Sequence, residues 1–450
     1  MNAFPGHYAH QFFTVSTTSS TPLPITSFKP FPYYNLEAVQ WSLLFGVCFL
    51  LGVGMGGNDV ADAFGTSVGT GTVTITQAFL LATIVEMMGS VASGLTGNVG
   101  KTLQVIDTDS YADNPDELVI GQIAMLIGCS TWLMIATFYS MPVSSIHSLL
   151  GATMGFSFVL RGVHGIVWER VWVVALVWVL SPIASALFTL IIFFLLDVTI
   201  LRARNPVKTG LLFLPLVYAI VVFTNVLLFL QDGSRKQNTE LPRIASSLSY
   251  SFPIRPRGWL RKAVYWAFPP MRNDDQKAVR LFSLLQVLTA CFAGFAHGAN
   301  DVTNCVAPIR DLIKMYNQGY QEDNTKLNIT VYVGLLSTLA ILLGIWTLGI
   351  RVIRTVGQDF AKMNPATGFC VEFGAAIVAL ATNIYSIPQS MTHCIVGSIF
   401  GLGLVRSGPI LKWNTVKYVF LSWILTIPVS GLISAGVMYI MQTILSQTDF

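Results

Sequence analysis

Nine long apolar stretches dominate this sequence and restrict what it can fold into. They span residues 39–56, 77–97, 118–140, 171–196, 211–230, 281–297, 329–350, 366–386 and 413–443. A helix that crosses the hydrocarbon core of a bilayer needs about 20 mostly apolar residues. Charged residues make up only 11% of the chain, against roughly 25% in an average soluble domain. The sequence therefore predicts an all-α polytopic membrane protein, because it has too few charges to cover a soluble surface.

Two further apolar stretches, 141–160 and 388–405, carry a proline at their start and are rich in glycine. This pattern predicts two re-entrant hairpins or broken spans. Irregular backbone at membrane depth survives only where it is buried in protein or lines a polar cavity. The two stretches therefore mark the region where a polar site is expected.

Hydrophilic segments divide the chain. We expect a flexible polar tail at 1–38, a first transmembrane repeat at 39–231, a basic loop at 232–280, a second repeat at 281–443 and a short tail at 444–450. The positive-inside rule places the basic loop in the cytoplasm. The N-terminal tail shows neither a signal peptide nor an arginine-rich presequence, so the plasma membrane is the default location.

Two motifs occur in the same order in both halves. GGNDV at 56–60 corresponds to GANDV at 298–302, an offset of 242 residues. PVSSIH at 142–147 corresponds to PQSMTH at 388–393, an offset of 246 residues. Such duplication is typical of transporters that bind substrate between their halves near the midplane. We therefore predict a two-fold inverted repeat with broken helices and two re-entrant hairpins.

The Asn-Asp motif ends a glycine-rich apolar stretch in each half, and glycine permits unwinding and close backbone approach. A carboxylate within the membrane is costly and marks a functional site by default. Asp59 and Asp301 are therefore candidate sodium ligands, and Asn58 and Asn300 can offer amide oxygens to the same cation. The alternative is that each aspartate caps a helix or forms a structural pair.

The Pro-x-Ser-x-x-His motif predicts a helix start, because proline followed by hydroxyl residues is typical of one. A helix start presents free N–H groups and the positive end of the helix dipole, which together bind anions. Ordinary capping of two hairpins is the alternative, and both interpretations can hold. Two such starts facing each other would hold a small tetrahedral oxyanion. The predicted phosphate-binding hydroxyls are those of Ser144, Ser145, Ser390 and Thr392.

Neither motif contains arginine or lysine, the usual partners of an anion. An oxyanion beside Asp59 and Asp301 would be repelled unless cations lay between them. The motifs therefore indicate that anion and cation bind together, which is the physical basis of symport. They do not choose between sodium and a proton.

Other polar residues interrupt the apolar stretches. Glu86 and Glu372 are isolated acids that do not correspond between the halves. Each is a candidate cation ligand, proton site or partner of a helix end. Gln122 is the polar residue nearest to the position that corresponds to Glu372. His147 and His393 lie one turn into the hairpin helices, where a bond to nearby backbone is as good an expectation as contact with substrate.

The motifs resemble those of the PiT family of inorganic phosphate transporters. That family's duplicated GANDVANA signature matches GGNDVADA at 56–63 and GANDVTNC at 298–305, and its PVSTTH element matches both hairpin motifs. The resemblance covers about 39–443 and implies an inverted-repeat fold and phosphate symport with sodium or, in some members, protons. It also implies cation coupling at Asp59 and Asp301, importance for transport at Glu86 and Glu372, and phosphate contact at Ser144 and Ser390.

Several positions depart from the family pattern. Asp62 replaces an asparagine and adds a carboxylate near the predicted cation site, which bears on the coupling ion. Ile146 and Met391 each replace a hydroxyl residue of the hairpin element. Gln122 stands where many eukaryotic members have glutamate.

The predicted function is secondary transport of inorganic phosphate by symport with a cation, with sodium favoured over a proton. A sulfate or other oxyanion permease, an anion channel and a non-transporting phosphate sensor stay open as alternatives. We expect no enzymatic activity and no cofactor other than the co-transported ion. The six cysteines lack metal-binding spacing, and no basic stripe suggests nucleic acid. The expected partners are inorganic phosphate, a cation that is either sodium or a proton, and the lipid bilayer. A homodimer stays open as the oligomeric state.

Overall fold

The computed structural model describes residues 36–96, 105–111, 115–233, 274–316, 325–385, 387–406 and 411–447. These ranges contain twelve α-helices and no β-strand apart from one isolated bridge between Ile106 and Ile166. The helices are α1 Leu36–Gly69, α2 Ile75–Thr96, α3 Pro115–Phe138, α4 Ser145–Arg161, α5 Trp168–Leu196, α6 Pro206–Gly233, α7 Gln276–Arg280, α8 Ser283–Tyr316, α9 Thr325–Arg354, α10 Pro365–Ile384, α11 Met391–Arg406 and α12 Trp413–Gln447. Short π-helical segments follow α5 at Asp197–Leu201 and α9 at Thr355–Asp359.

All nine predicted spans are helical. Within the described ranges, ten helical segments are long and apolar enough to cross a membrane. One of them is α4 with its following turn, Ser145–Gly165, whereas α11 is shorter. Both hairpin helices begin at the predicted Pro-Ser motifs, and their depth in a bilayer stays a prediction. Most of the predicted tail, residues 1–35, and most of the basic loop, residues 234–273, lie outside the described residues.

The Asn-Asp motifs lie inside helices, so the expectation that they end a helix was wrong. Helix α1 continues past the first motif to Gly69, and α8 continues past the second to Tyr316. The glycines serve close packing instead of unwinding. A Cβ on Gly56 would lie 2.0 Å from the carbonyl oxygen of Ile341, and one on Gly298 would lie 2.0 Å from that of Glu86. Only glycine allows these helix backbones to approach so closely.

The two halves of the chain are interlocked in matching pairs of helices. Helix α1 packs on α9 and α8 packs on α2, while hairpin helix α4 packs on α12 and α11 packs on α5. Corresponding glycines of the two hairpin helices make the close contacts: Gly151 with Ile427, Gly155 with Gly431, Gly397 with Pro182, and Gly401 with Ala186. Each hairpin helix therefore rests on the long helix that follows the hairpin helix of the other half, an arrangement consistent with the predicted two-fold repeat. The inverted sense of that repeat stays a prediction.

A buried ion pair closes the far end of each hairpin helix. Arg161, in the last turn of α4, binds Glu117 at 2.5 Å and lies over the Tyr111 ring, whose centroid is 4.5 Å away. Burial raises the pKa of Tyr111. Arg406, in the last turn of α11, pairs with Asp274. Cations in the last turn also complement the helix dipole. The hairpin helices are thus held at one end by charge, while their first turns meet the polar centre.

Candidate functional site

The first turns of the two hairpin helices meet in the interior of the protein. The rings of His147 and His393 lie 4.8 Å apart, edge to face. Ser144 caps α4 by accepting the backbone N–H of His147 at 3.3 Å, and Ser390 accepts that of His393 at 3.4 Å. The two predicted helix starts are therefore both capped by serine and brought together.

Helix α1 joins both hairpins through carboxylates. Ser145 donates its hydroxyl to Asp59 Oδ2 at 2.8 Å, and Thr392 donates to Asp62 Oδ2 at 2.6 Å. Asp59 and Asp62 are one turn apart on α1, so they face the same side of that helix. One helix thus binds the beginnings of both hairpin helices.

Two more acids complete a buried cluster. The carboxyl group of Asp301, on α8, interacts directly with that of Asp59, and Glu86 on α2 is within electrostatic range of both. The four acids of this cluster, Asp59, Asp62, Glu86 and Asp301, are between 1% and 4% exposed. None of the described lysine or arginine side chains forms a salt bridge with them, and none is fully buried. The oxygen atoms without a hydrogen-bond partner are Asp59 Oδ1, Asp62 Oδ1, Asp301 Oδ2 and both Oε atoms of Glu86.

This arrangement brings free carboxylate oxygens close to two helix starts. The four acids offer free oxygens that suit hard cations. The first-turn N–H groups of α4 and α11 have no partner within their own helices and carry the positive ends of the dipoles, which suit an anion. In the part of the chain that the structure describes, no group of three or more His, Cys, Asp or Glu side chains is arranged to hold a metal ion. A cation here would therefore take hydroxyl or substrate oxygens as well as carboxylates.

Two tryptophans that the sequence analysis missed enclose the histidine pair. The Trp178 ring lies 6.3 Å from His147 and 6.5 Å from His393, and the Trp423 ring lies 3.9 Å from His393. Trp423 Nε1 also donates to the Pro142 carbonyl at 3.2 Å. The two tryptophans are 245 residues apart, so extending the repeat into α5 and α12 would have found them.

Glu372 lies apart from the acid cluster, in a cage of polar side chains. Its carboxylate accepts hydrogen bonds from Thr66 and Thr289, from Ser67 Oγ at 3.0 Å and from Gln286 Nε2 at 3.3 Å. Thr66 is one turn beyond Asp62 on α1. Both halves of the chain therefore build this cage, and none of its four donors was predicted.

A cavity of about 20 Å³ adjoins the cage. Its lining includes Glu372 and Thr289, together with Asn225 on α6 and Met391 at the start of α11. The cavity therefore connects the surroundings of Glu372 with the first turn of the second hairpin helix.

The two motif asparagines differ. Asn58 is buried and holds the turn before α4: its amide nitrogen donates to Thr137 Oγ1 at 3.0 Å and to the Met141 carbonyl at 2.9 Å, and its oxygen accepts the Val143 N–H at 3.0 Å. Asn300 is exposed. The predicted amide ligand of the first half is therefore already engaged by the turn.

Gln122 is not brought to the acid cluster. It is buried on α3, about 22 Å along the helix from Thr137 at 1.5 Å per residue. Its Oε1 has no partner among the described residues. Asp59, Asp62, Ser144, Ser145, Ser390, Thr392 and the two histidines lie at the two hairpin starts. Glu372, on α10, is bonded to Thr66, which is one helical turn beyond Asp62 on α1.

The described residues contain ten membrane-length helices, two interlocked halves and a buried polar centre whose acids pair with none of the described arginines or lysines, and these features define an integral, multi-pass membrane transport protein. The chain belongs to the phosphate transporter family, whose sequence model matches residues 55–434. The predicted resemblance is thereby confirmed.

Similar proteins cover most of the chain. A protein of Pyrococcus furiosus named as a phosphate permease is 33% identical over 87% of this chain and 95% of its own. The chloroplastic inorganic phosphate transporter 2-1 of Arabidopsis thaliana is 29% identical over 90% of this chain and 72% of its own. A solved structure titled as a sodium-dependent phosphate transporter is similar with a TM-score of 0.73 and 26% identity, over 90% of this chain and all of that one.

Proposed function

We propose that this protein carries inorganic phosphate across a membrane by symport with sodium. One observation carries the proposal: the starts of α4 and α11 meet beside four buried acids, and no described lysine or arginine pairs with those acids. An anion and four carboxylates cannot share that space without added positive charge. The similar solved structure is that of a sodium-dependent phosphate transporter, which supports sodium as the source of that charge.

The hairpin starts form the phosphate site in this proposal. Ser144 accepts a backbone N–H group as a cap, and this leaves its hydroxyl proton for a phosphate oxygen. Ser390 also caps its helix and is hydrogen-bonded to His393 Nδ1 at 2.7 Å, so its hydroxyl proton is available to phosphate when that ring nitrogen carries the hydrogen. The free N–H groups of each first turn add further donors. Ser145 and Thr392 bond Asp59 and Asp62, so they link the anion layer to the cation layer. The His147–His393 pair and the two tryptophans exclude water behind the site.

The acids form the cation site. Asp59 and Asp301 come from corresponding positions of the two halves and interact directly, so a sodium ion between them relieves their repulsion. Glu86 adds charge from α2 and has no hydrogen bond of its own. Cations bound here also lower the cost of bringing a phosphate oxygen close. Phosphate and sodium thus increase each other's affinity, as coupled binding sites must.

In this proposal, a cation binds at Glu372 before it reaches the acid cluster. Its four donors stabilise a carboxylate, and the adjoining cavity gives it access. A polar track on α1, from Thr66 to Asp62, connects it with the acid cluster. A cation held there is about one helical turn, or 5.4 Å along the axis, from the central site.

The different contacts of the two motif asparagines suggest a mechanism of alternating access. Asn58 holds the turn of the first hairpin, whereas Asn300, at the corresponding position of the second half, is exposed. By the repeat offsets, the partners of Asn300 would be the Ile387 carbonyl and the Gln389 N–H. We propose that exchange of these contacts opens the site to one side of the membrane and then to the other. The plasma membrane, with the basic loop in the cytoplasm, is the proposed setting.

Uptake by purified protein in liposomes tests the proposal. Labelled phosphate should accumulate only under an imposed inward sodium gradient, and a proton gradient at equal sodium should not replace it. Asp301→Asn should lower uptake at least tenfold, while Asp359→Asn, at an exposed surface pair with Lys412, should not. Cation-independent flux would indicate a channel, binding without flux a sensor, and equal competition by sulfate an oxyanion permease.

A further inference from the structure

One face of α9 carries a row of exposed apolar side chains that ends in two arginines. The apolar members recur every three or four residues and are between 47% and 69% exposed: Tyr332, Leu335, Leu339, Leu343 and Trp346. Exposed Thr347, Arg351 and Arg354 continue the row. On an integral membrane protein, an exposed apolar face of this extent meets lipid. The row therefore places both arginines on the lipid-facing side of the protein.

The arginines lie where the apolar core of a bilayer ends. Arg351 is about 30 Å along the helix axis from Val331, where this described membrane-length segment begins. The hydrocarbon core of a bilayer is also about 30 Å thick. Tyr139 and Tyr418 are exposed beside Arg351, and tyrosine is enriched at membrane–water interfaces. Arg351 therefore reaches the layer of lipid headgroups.

Both arginines have unused hydrogen-bond donors. Arg351 donates from Nη1 to the Phe138 carbonyl at 3.2 Å, and its guanidinium lies 4.6 Å from the centroid of the Phe138 ring. The side chain of Arg354 forms no hydrogen bond with the described residues. Neither arginine forms an ion pair with a described acid. A guanidinium has five N–H donors in a planar fork that fits two oxygens of a phosphate group.

Arg351 also belongs to a set of side chains that binds the turn of the first hairpin. Every backbone carbonyl from Phe138 to Pro142 accepts a side-chain donor at 2.9 to 3.2 Å, in order from Arg351, Tyr418, Thr355, Asn58 and Trp423. Among the described contacts, no side chain donates to the carbonyls of Ile384, Tyr385 or Ile387, at the corresponding positions of the second hairpin. The end of α9 is therefore bound to the first hairpin turn and not to the second.

We propose that Arg351 and Arg354 bind the phosphate headgroup of an anionic phospholipid, and that this lipid stabilises the turn before α4. Charge identifies the occupant, because two cations without acidic partners lie at headgroup depth, next to a face that contacts acyl chains. Arg351 donates to the turn and to the headgroup at once, so a bound headgroup restricts the movement of Arg351 and of the carbonyl that it holds. The inference does not depend on which ion drives transport.

A lipid titration tests the binding. Purified full-length protein in detergent, with neither phosphate nor an ion gradient, is titrated with fluorescent phosphatidylglycerol and, as the reference lipid, fluorescent phosphatidylcholine. Wild-type protein should bind phosphatidylglycerol about tenfold more tightly, and the double variant Arg351→Gln with Arg354→Gln should lose that preference. The matched control Arg204→Gln removes an exposed arginine between α5 and α6 and should keep it.

Hydrogen–deuterium exchange tests the link to the hairpin. In nanodiscs, phosphatidylglycerol should slow backbone exchange in peptides that cover residues 138–147 of wild-type protein, and it should have no such effect in the double variant. Peptides that cover residues 384–393 are the internal control, because the second turn lacks the contacts to α9, and they should exchange equally in both lipids. Equal exchange of 138–147 in both lipids would refute the stabilising role.

Several results of the titration would overturn the lipid site. Equal affinity of wild-type protein for the two lipids would do so, as would an unchanged preference in the double variant or an equal loss in Arg204→Gln. Displacement of the lipid by glycerol 3-phosphate would mean that the arginines bind soluble phosphate esters instead. If the double variant does not fold, Arg354→Gln decides, because that side chain forms no hydrogen bond or ion pair with the described residues. An unchanged lipid preference in Arg354→Gln then overturns the inference.

Discussion

The two hairpins share a backbone hydrogen bond just before their helices but are held differently. Met141 N–H donates to the Ala136 carbonyl at 2.8 Å in the first, and Ile387 N–H donates to the corresponding Thr382 carbonyl at 2.9 Å in the second. The first turn is then bound from outside by Asn58, and by Trp423 at Pro142. Neither bond has a counterpart among the described contacts of the second turn.

Burial follows the same division. Pro142 and Val143 at the tip of the first hairpin are buried, whereas Ile387, Pro388 and Gln389 are only half-buried. The cavity beside Met391 and Glu372 lies on the side of the second hairpin. Corresponding motifs thus share a turn hydrogen bond, while the burial of the two turns depends on contacts made across the protein.

The comparison predicts that helix packing, unlike the contacts that hold the turns, is the same in both halves. Gly56→Ala and Gly298→Ala should each cost about 3 kcal/mol, because each Cβ would overlap a backbone carbonyl of the facing helix. Thermal unfolding in detergent measures both. Gly436→Ala, where a Cβ meets nothing within 4 Å, is the control and should be neutral. A large difference between the first two variants would mean that the asymmetry extends into the helices.

Substitution of the two asparagines should change the stability of the protein by different amounts, but both substitutions should impair transport. Asn58→Ala should cost about 2 kcal/mol, because it leaves buried groups of the first turn without partners. Asn300→Ala should change stability by less than about 0.5 kcal/mol, since its side chain is exposed. Both should slow phosphate uptake if each asparagine holds its turn in one access state. Equal unfolding midpoints would contradict the assignment of Asn58.

Cysteines placed in the two turns should differ about tenfold in their rate of reaction with a thiol reagent, which corresponds to about 1.4 kcal/mol in free energy. Gln389→Cys should react with a water-soluble maleimide faster than Val143→Cys, because only the second turn is partly exposed. Unmodified protein supplies the background, as its described cysteines are buried except for the half-buried Cys291. Sodium with phosphate should slow labelling at Gln389→Cys. Faster labelling of the first turn would reverse the assignment of the open side.

The smallest effect concerns the missing hydroxyl of the second half. Met391 corresponds to Ser145, so Met391→Thr should give Asp301 the hydroxyl partner that Asp59 already has. One hydrogen bond to a charged group contributes about 1.5 kcal/mol, and the lost apolar contacts offset part of it. We expect the affinity for sodium, measured in the presence of phosphate, to be a few-fold higher in Met391→Thr than in Met391→Leu. Identical affinities in the two variants would show that Asp301 does not face this position.

Much of the fold could be predicted because its signals are local. The nine spans follow from runs of apolar residues, and the starts of α4 and α11 follow from proline and hydroxyl residues at fixed spacing. Convergence of the two starts followed from duplication of the motif. These features can be predicted without knowing which helices pack against each other.

The unpredicted features all depend on partners distant in sequence. Glycines before Asn58 could equally unwind a helix or admit a neighbouring one, and only the packing of α9 decides. The Glu372 cage takes Thr66 from α1 and Thr289 from α8, which no local pattern links. Asn58 and Asn300 are the same residue in the same motif, so sequence alone cannot tell which one holds its turn.

The central claim is that phosphate binds between the hairpin starts only when cations neutralise the buried acids. The most direct test measures phosphate affinity for the purified protein in detergent, in sodium chloride and in choline chloride at equal ionic strength. The account predicts at least about tenfold tighter binding in sodium, within the range for coupled sites. Equal phosphate affinity in the two salts would contradict it.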